Sequence, residues 1–413
     1  MKKATFIIAA LLLHTYHCLS QNHEIYDNNI KSLQVVADDN WLSMPVIQLN
    51  TDERINISFD DLTHTYHRYA YKLVHCEADW KESDQLFSSD YIDGFADGNT
   101  IDDSQESVNT NILYTHYKFC IPNSQCNIKL SGNYKLTVYD ENNNNQPVLT
   151  ACFMVINSKV SISMSVTSNT DIDMNNKHQQ VSFEVNYSQL KAINPQEQIK
   201  TFVLQNGRWD NVKVPSRPQF ISAQVLKWDH NKDLIFEAGN EYHKFEFLDV
   251  THPTMGIDHI AWDGNDYHVY PFVCEPRYNY IYDEDANGAF YIRNSNNIEN
   301  DYASDYAWIH YRLMTDPLPT DDVYINGAWT INQFSPQYKM TYNAAEKCYE
   351  CKILQKQGYY SYQFLCRNNG KSLIMPSEGS FYQTENKYQI LVYYKGQGER
   401  TDQLVGFRQL QYK

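Results

Sequence analysis

The sequence predicts an all-β chain of tandem sandwich modules, immunoglobulin-like or E-set in kind, and three features carry that expectation. Short runs rich in β-branched and aromatic residues recur along most of the 413 residues. Clusters of Asn, Asp and Gly punctuate them, and sustained helical periodicity is missing beyond the N-terminal stretch. Tyr is frequent, 33 residues, which suits strands because the ring packs on a pleated surface while the hydroxyl stays hydrated. The best helical candidate, residues 187–192, is expected to stop before Pro195.

At the N-terminus, Lys2 and Lys3 precede an apolar run from Ala4 to Leu13 and a more polar stretch ending Cys18-Leu19-Ser20. That is the layout of a secretory signal peptide, residues 1–20, with cleavage expected before Gln21 because Cys18 and Ser20 are small. A lipoprotein signal would acylate Cys18, but Thr15-Tyr16-His17 places bulky rings where such signals need small residues. No later apolar run approaches the roughly 20 residues a spanning helix requires. The mature chain is therefore expected to be soluble rather than membrane-spanning. Its strands are too uneven, and too often apolar on both faces, for an outer-membrane barrel.

Three modules are expected. Arg54-Ile-Asn-Ile-Ser-Phe59 and Tyr69-Ala-Tyr-Lys-Leu-Val-His75 read as sandwich strands of the first, residues 21–158. Its last hairpin would turn at residues 142–147 and end with Ala151-Cys-Phe-Met-Val-Ile156. The second, residues 159–300, carries Asn206-Gly207 after Phe202-Val-Leu204 and Asn287-Gly288 before Ala289-Phe-Tyr-Ile292. The polar segment 294–301 reads as a linker. The third, residues 301–413, has Asn326-Gly327 after Val323-Tyr-Ile325. Asn-Gly supplies the positive φ angles of a tight hairpin.

The formal charge is −16, and without Lys2 and Lys3 the chain carries 32 basic against 50 acidic residues, −18. No basic cluster opposes this, which excludes nucleic acid and anionic headgroups as expected partners. Removing Cys18 leaves eight of nine cysteines. Cys120 and Cys126 could close a short hairpin, and Cys348 and Cys366 would face each other across a hairpin loop at residues 355–358. Reduced, buried thiols are the alternative.

Candidate chemistry is sparse. His75-Cys76-Glu-Ala-Asp79-Trp80 offers a thiol beside an imidazole, but neighbours on a strand point to opposite faces, so the expected role is a strand end closing on a buried Trp80. Asp283-Glu-Asp285-Ala-Asn287-Gly288 matches the first half of a calcium loop, yet the position for a bidentate Glu is Asn294, and a hairpin is the better reading. Asp93-Gly-Phe-Ala-Asp97-Gly98-Asn99 raises the same thought with poorer spacing. His64, His67, His75 and His116 could meet around zinc only if the fold gathered them. Nucleophile-elbow, dinucleotide and phosphate-loop motifs are absent. No enzyme activity, cofactor or metal is expected.

A set of strings resembles the type IX secretion system plug protein family of the Bacteroidetes. In the first module they are Ile55-Asn-Ile-Ser-Phe59-Asp60-Asp61-Leu62, His75-Cys76-Glu-Ala-Asp79-Trp80, Asp90-Tyr91-Ile-Asp-Gly94-Phe95, Ser107-Val-Asn-Thr110, Tyr114-Thr-His116-Tyr117, Pro122-Asn123 and Ser131-Gly132-Asn133-Tyr134. Gln205-Asn206-Gly207-Arg208-Trp209-Asp210, Gly239-Asn240-Glu241-Tyr242 and the Asp285–Gly288 turn continue the series. Asp305-Tyr306-Ala307 and Lys356-Gln357-Gly358-Tyr359-Tyr360-Ser361-Tyr362 complete it. Cys152 and His243 depart from the pattern, which has basic residues there. The resemblance implies a periplasmic protein, associated with the inner side of the outer membrane, that binds and obstructs the translocon barrel of the type IX system without a cofactor. No oligomeric state is assigned. The third module, through Val323-Tyr-Ile-Asn-Gly-Ala-Trp329 and Gly358-Tyr-Tyr-Ser-Tyr362, also resembles E-set domains, some of which bind glycans. That makes a carbohydrate-binding envelope protein the alternative, with Trp329 as the stacking candidate.

Overall fold

The computed structural model describes residues 23–319 and 321–413. The expected signal peptide and Cys18 lie outside the described residues. The regular structure is almost entirely β-strand, arranged in several sheets that are mainly antiparallel, and the only α-helical segments among the described residues are Ser88–Tyr91 and Pro195–Gln198. Residues 187–192 form no helix. Pro195 opens a helical turn instead of closing one, because its missing N–H and fixed φ suit the first helical position.

In the first module two sheets face one another. Strand Gly132–Asp140 pairs with Gln146–Ile156 on one side and with Tyr69–Cys76 on the other, while Ile55–Asp61 pairs with Ile30–Ala37 and Thr115–Ile121. Alternation along these strands sends Ile55, Ile57 and Phe59 from one sheet, and Tyr134, Leu136 and Val138 from the other, into a common core. The polar turn at 142–147 holds Asn144 and Asn145 at φ 53° and 55°, as its composition demands.

The second and third modules depart from the expected boundaries. Strand Ile199–Gln205 pairs with Asn386–Tyr394, which pairs in turn with the last strand, Gln403–Tyr412. The second core accordingly joins Val181, Phe183 and Trp228 to Tyr388, Ile390 and Val405. Strand His243–Phe247 pairs instead with Gly358–Asn368, and Tyr267–Pro271 pairs with Ile257–Trp262 on one side and Tyr306–Met314 on the other, so all three belong to the third core. The division at 300/301 is thus replaced by an insertion, in which the third module is threaded into the second. Backbone groups of a strand edge need partners, and the exposed edge of Ile199–Gln205 finds one in the chain's final strands.

Turn chemistry held in part. Asn206 and Gly207, at φ 56° and 67°, join strand Ile199–Gln205 to Arg208–Lys213. Asn326-Gly327 forms no hairpin: Gly327 is extended and opens a 3-10 turn, where a Cβ would stand 2.6 Å from Trp329 Nε1 and 2.8 Å from Ser361 O. Segment 294–301 is no free linker either. Asn294 Nδ2 donates to the Ile298 carbonyl at 2.8 Å, and just after the segment the Tyr302 carbonyl accepts from Val108 N–H of the first module.

Neither expected disulfide forms. Cys126 packs into the first core while Cys120 sulfur lies 3.7 Å from Arg54 Nη1, and both are free thiols. Strands Cys348–Lys356 and Gly358–Asn368 turn at Gln357 into different sheets, so Cys348 and Cys366 never face each other.

Candidate functional site

The most unusual chemistry lies where the modules meet. At the first-to-third seam, Asp60 is the penultimate residue of strand Ile55–Asp61 and Lys356 ends strand Cys348–Lys356; their charged groups meet at 2.7 Å, with side chains 0% and 1% exposed. Asp60 Oδ2 also accepts from Tyr306 hydroxyl at 2.6 Å, and Oδ1 lies 2.7 Å from His116 Nδ1. Lys356 donates to Asp301 O at 2.5 Å and sits 4.1 Å above the Tyr114 ring. Burial works to raise the Asp60 carboxyl, but the Lys356 ammonium and His116 overcome it and hold it below its ordinary range. Burial lowers Lys356 against the pull of Asp60. A charge pair out of water persists only when its remaining hydrogen-bonding capacity is filled, as here.

The first-to-second seam is built on Glu77. Its carboxylate accepts from Ser83 Oγ at 2.8 Å, Thr401 Oγ1 at 2.7 Å and Asp402 N at 3.0 Å, and Asp402 Oδ2 accepts Ala78 N in return at 3.1 Å. Tyr393 hydroxyl donates to Asn133 Oδ1 at 2.7 Å. Beneath these bonds Trp80 and Trp209 meet edge-on, ring centroids 5.6 Å apart, in an apolar cluster with Phe202, Leu391 and Leu404. Gly132 borders this seam with φ 148°, and a Cβ on it would stand 2.2 Å from His75 Nε2. Gly132→Ala is expected to cost about 1–3 kcal/mol in backbone strain alone, read as a lower thermal midpoint.

The second-to-third seam gathers acids. Glu241 accepts Tyr280 hydroxyl at 2.6 Å and Glu385 N at 3.1 Å, and Asp285 accepts Asn287 N at 2.5 Å and Tyr242 N. Burial pushes the Asp285 carboxyl up to about 7 from 3.8. The folded state therefore keeps a proton that the unfolded chain releases between about pH 4 and 7, and stability from this group falls as pH rises through that window, by up to about 1.4 kcal/mol per pH unit. Urea midpoints from pH 5 to 7 should show that slope, and Asp285→Asn should flatten it. A cavity of about 170 Å³, lined among others by Leu33, Trp41, Trp209, Asn287, Phe290 and Lys387, lies where all three modules converge.

The sequence candidates fall elsewhere. His75 lies 2.9 Å from Ser83 Oγ and does not meet Cys76, whose thiol burial raises to about 12. The expected closure on Trp80 is present, with Trp80 2% exposed. Asp283 pairs with Lys244 at 2.5 Å, away from Asp285's backbone partners. His64, near Tyr114 O, and His67, 2.8 Å from Asp140, remain apart from His75 and His116. Among the described residues no three His, Cys, Asp or Glu side chains are placed to hold a metal. Trp329 is half-buried: Tyr311 stacks on it at 5.8 Å, and its Nε1 donates to Ser361 O, so it offers no open sugar platform.

Two comparisons bear on kinship. The crystal structure of a hypothetical protein from Parabacteroides merdae ATCC 43184 superposes with a TM-score of 0.92 at 40% identity, covering 95% of this chain and 99% of that one. Residues 30–157 match the Type 9 secretion system plug protein 1st domain. The chain belongs to the type 9 secretion system plug protein family. Collagen adhesin from S. aureus, at 10% identity and a TM-score of 0.11, has no bearing on its fold. No curated protein matches. The matched first domain of this plug-family protein ends at the strand Gln146–Ile156, where the first sheets end. The strings that carry the resemblance are also the seam residues: Asp60, His116, Tyr306 and Lys356 at one seam, Glu77, Trp80, Asn133 and Trp209 at another, and Glu241 and Asp285 at the third.

Proposed function

We propose that this plug-family protein is a non-catalytic periplasmic plug, built of immunoglobulin-like sandwiches, that binds and obstructs the outer-membrane translocon channel of a type IX secretion system. The observation that carries the reading is the locking of three modules into one body by buried polar seams, above all Asp60 with Lys356. A body that closes an opening must resist deformation, and buried, fully bonded charge pairs favour a single relative placement of the parts they join. Large apolar side chains stand exposed on its loops, among them Phe87, Phe95, Tyr278 and Ile281, and these supply amphipathic contact area for a partner. The export signal expected from residues 1–20 agrees with the same role. The test is affinity purification of the tagged protein from detergent-solubilised envelopes of its own cells, followed by mass spectrometry. Co-recovery of a very large outer-membrane barrel is the expected result; elution alone after mild extraction would sink the reading.

A further inference from the structure

Cys274, His243 and Glu378 form a linear relay at the edge of the third core. His243 begins strand His243–Phe247, Cys274 follows strand Tyr267–Pro271, and Glu378 lies on the connection leading back to the second module. The thiol sulfur stands 3.6 Å from His243 Nδ1, and His243 Nε2 stands 3.0 and 3.2 Å from the two Glu378 oxygens. Glu378 is anchored in turn by Arg277. Tyr362 stacks on the imidazole at 5.4 Å, with its hydroxyl 3.4 Å from the sulfur. This is the arrangement of a nucleophile, its proton partner and an orienting carboxylate.

Electrostatics support it. Burial opposes a charged imidazole, but Cys274 and Glu378 outweigh burial and raise His243 to about 10. An imidazolium protonated on both nitrogens donates from Nδ1 to the sulfur, and a neighbouring imidazolium stabilises a thiolate. Access separates this thiol from the other buried ones: Cys274 keeps 8% exposure, against 0% for Cys76 and Cys126 and 2% for Cys348 and Cys366. Its neighbours Phe272 and Glu275 are at the surface.

We propose that Cys274 is a peroxide-reactive thiol and the site of oxidative modification in this chain, with His243 as proton donor and Glu378 as its positioning residue. The Cys274 thiolate attacks one oxygen of hydrogen peroxide, forming an S–O bond as the O–O bond breaks. Sulfur is oxidised by two electrons, and the departing hydroxide takes the Nδ1 proton of His243 and leaves as water. The products are a sulfenic acid and a neutral imidazole that keeps its Nε2–H bond to Glu378, whose remaining cationic partner is Arg277. The inference is independent of the plugging role.

The experiment treats the reduced mature chain with low hydrogen peroxide in the presence of dimedone, a carbon nucleophile that traps sulfenic acid, and follows each cysteine peptide by mass spectrometry. Labelling of Cys274 should exceed that of the half-exposed Cys120 by about tenfold or more, and His243→Asn should bring it to the Cys120 rate. Equal rates in the folded wild type, or an unchanged rate in a folded His243→Asn variant, would overturn the proposal. Iodoacetamide alkylation of the folded wild type at neutral pH gives a check that needs no variant. Cys274 should react faster than Cys120 by about tenfold or more, and an equal or slower rate overturns the assignment.

Discussion

Lys356→Met should lower the stability of the first-to-third seam by about 3–5 kcal/mol, the usual cost of leaving one member of a buried ion pair without its counter-charge. Asp60 would keep Tyr306 and His116 as partners but would lose the ammonium at 2.7 Å. A three-module chain need not unfold in one step. The predicted signature is therefore an early urea transition that separates the first module from the rest, with new protease cleavage near residues 294–301, where the seam is made. Adding Asp60→Leu should recover only part of the loss, because it removes the acceptor of the His116 ring and one of the two partners of the Tyr306 hydroxyl, which keeps Ser32 Oγ at 2.7 Å. Full recovery in the double variant would show that those two bonds contribute nothing.

The second large effect belongs to Trp209→Ala. Trp209 is 5% exposed and packs on Trp80, Phe202 and the strands that close the second module. Removing a buried indole from such a cluster costs about 3–5 kcal/mol. Because Trp80 belongs to the first module and Trp209 to the second, the loss should appear as uncoupling of the two modules in differential scanning calorimetry. The pair should also be non-additive: Trp80→Ala on top of Trp209→Ala should cost clearly less than it does alone, since the contact it removes is already gone.

Strand content and many turns were legible in the sequence because they depend on neighbours along the chain. The alternation of Ile55, Ile57 and Phe59 names the inward face of a strand, and Asn206-Gly207 names the turn that the structure contains. The boundary at 300/301 was not legible, because strand Ile199–Gln205 is completed by Asn386–Tyr394, and nothing local in either segment specifies so distant a partner. The same holds for Cys348 and Cys366, where two adjacent strands look like a hairpin until Gln357 sends them to separate sheets. The family strings stood out as strings, yet their use as seams needed the third dimension. Asp60 is far along the chain from Lys356, as His243 is from Glu378, and no spacing rule links either pair.

Threading the third module into the second fixes the order in which the protein can be completed. A chain made from its N-terminus can finish its first module early, since those strands pair only among themselves. The second must wait, with the edge of Ile199–Gln205 open, until Asn386–Tyr394 and Gln403–Tyr412 arrive after the whole inserted module. An unpaired edge of that kind recruits other strands. A nascent or C-terminally clipped chain is thus a sticky half-product, so loss of the last few dozen residues should produce aggregation rather than a shorter working protein.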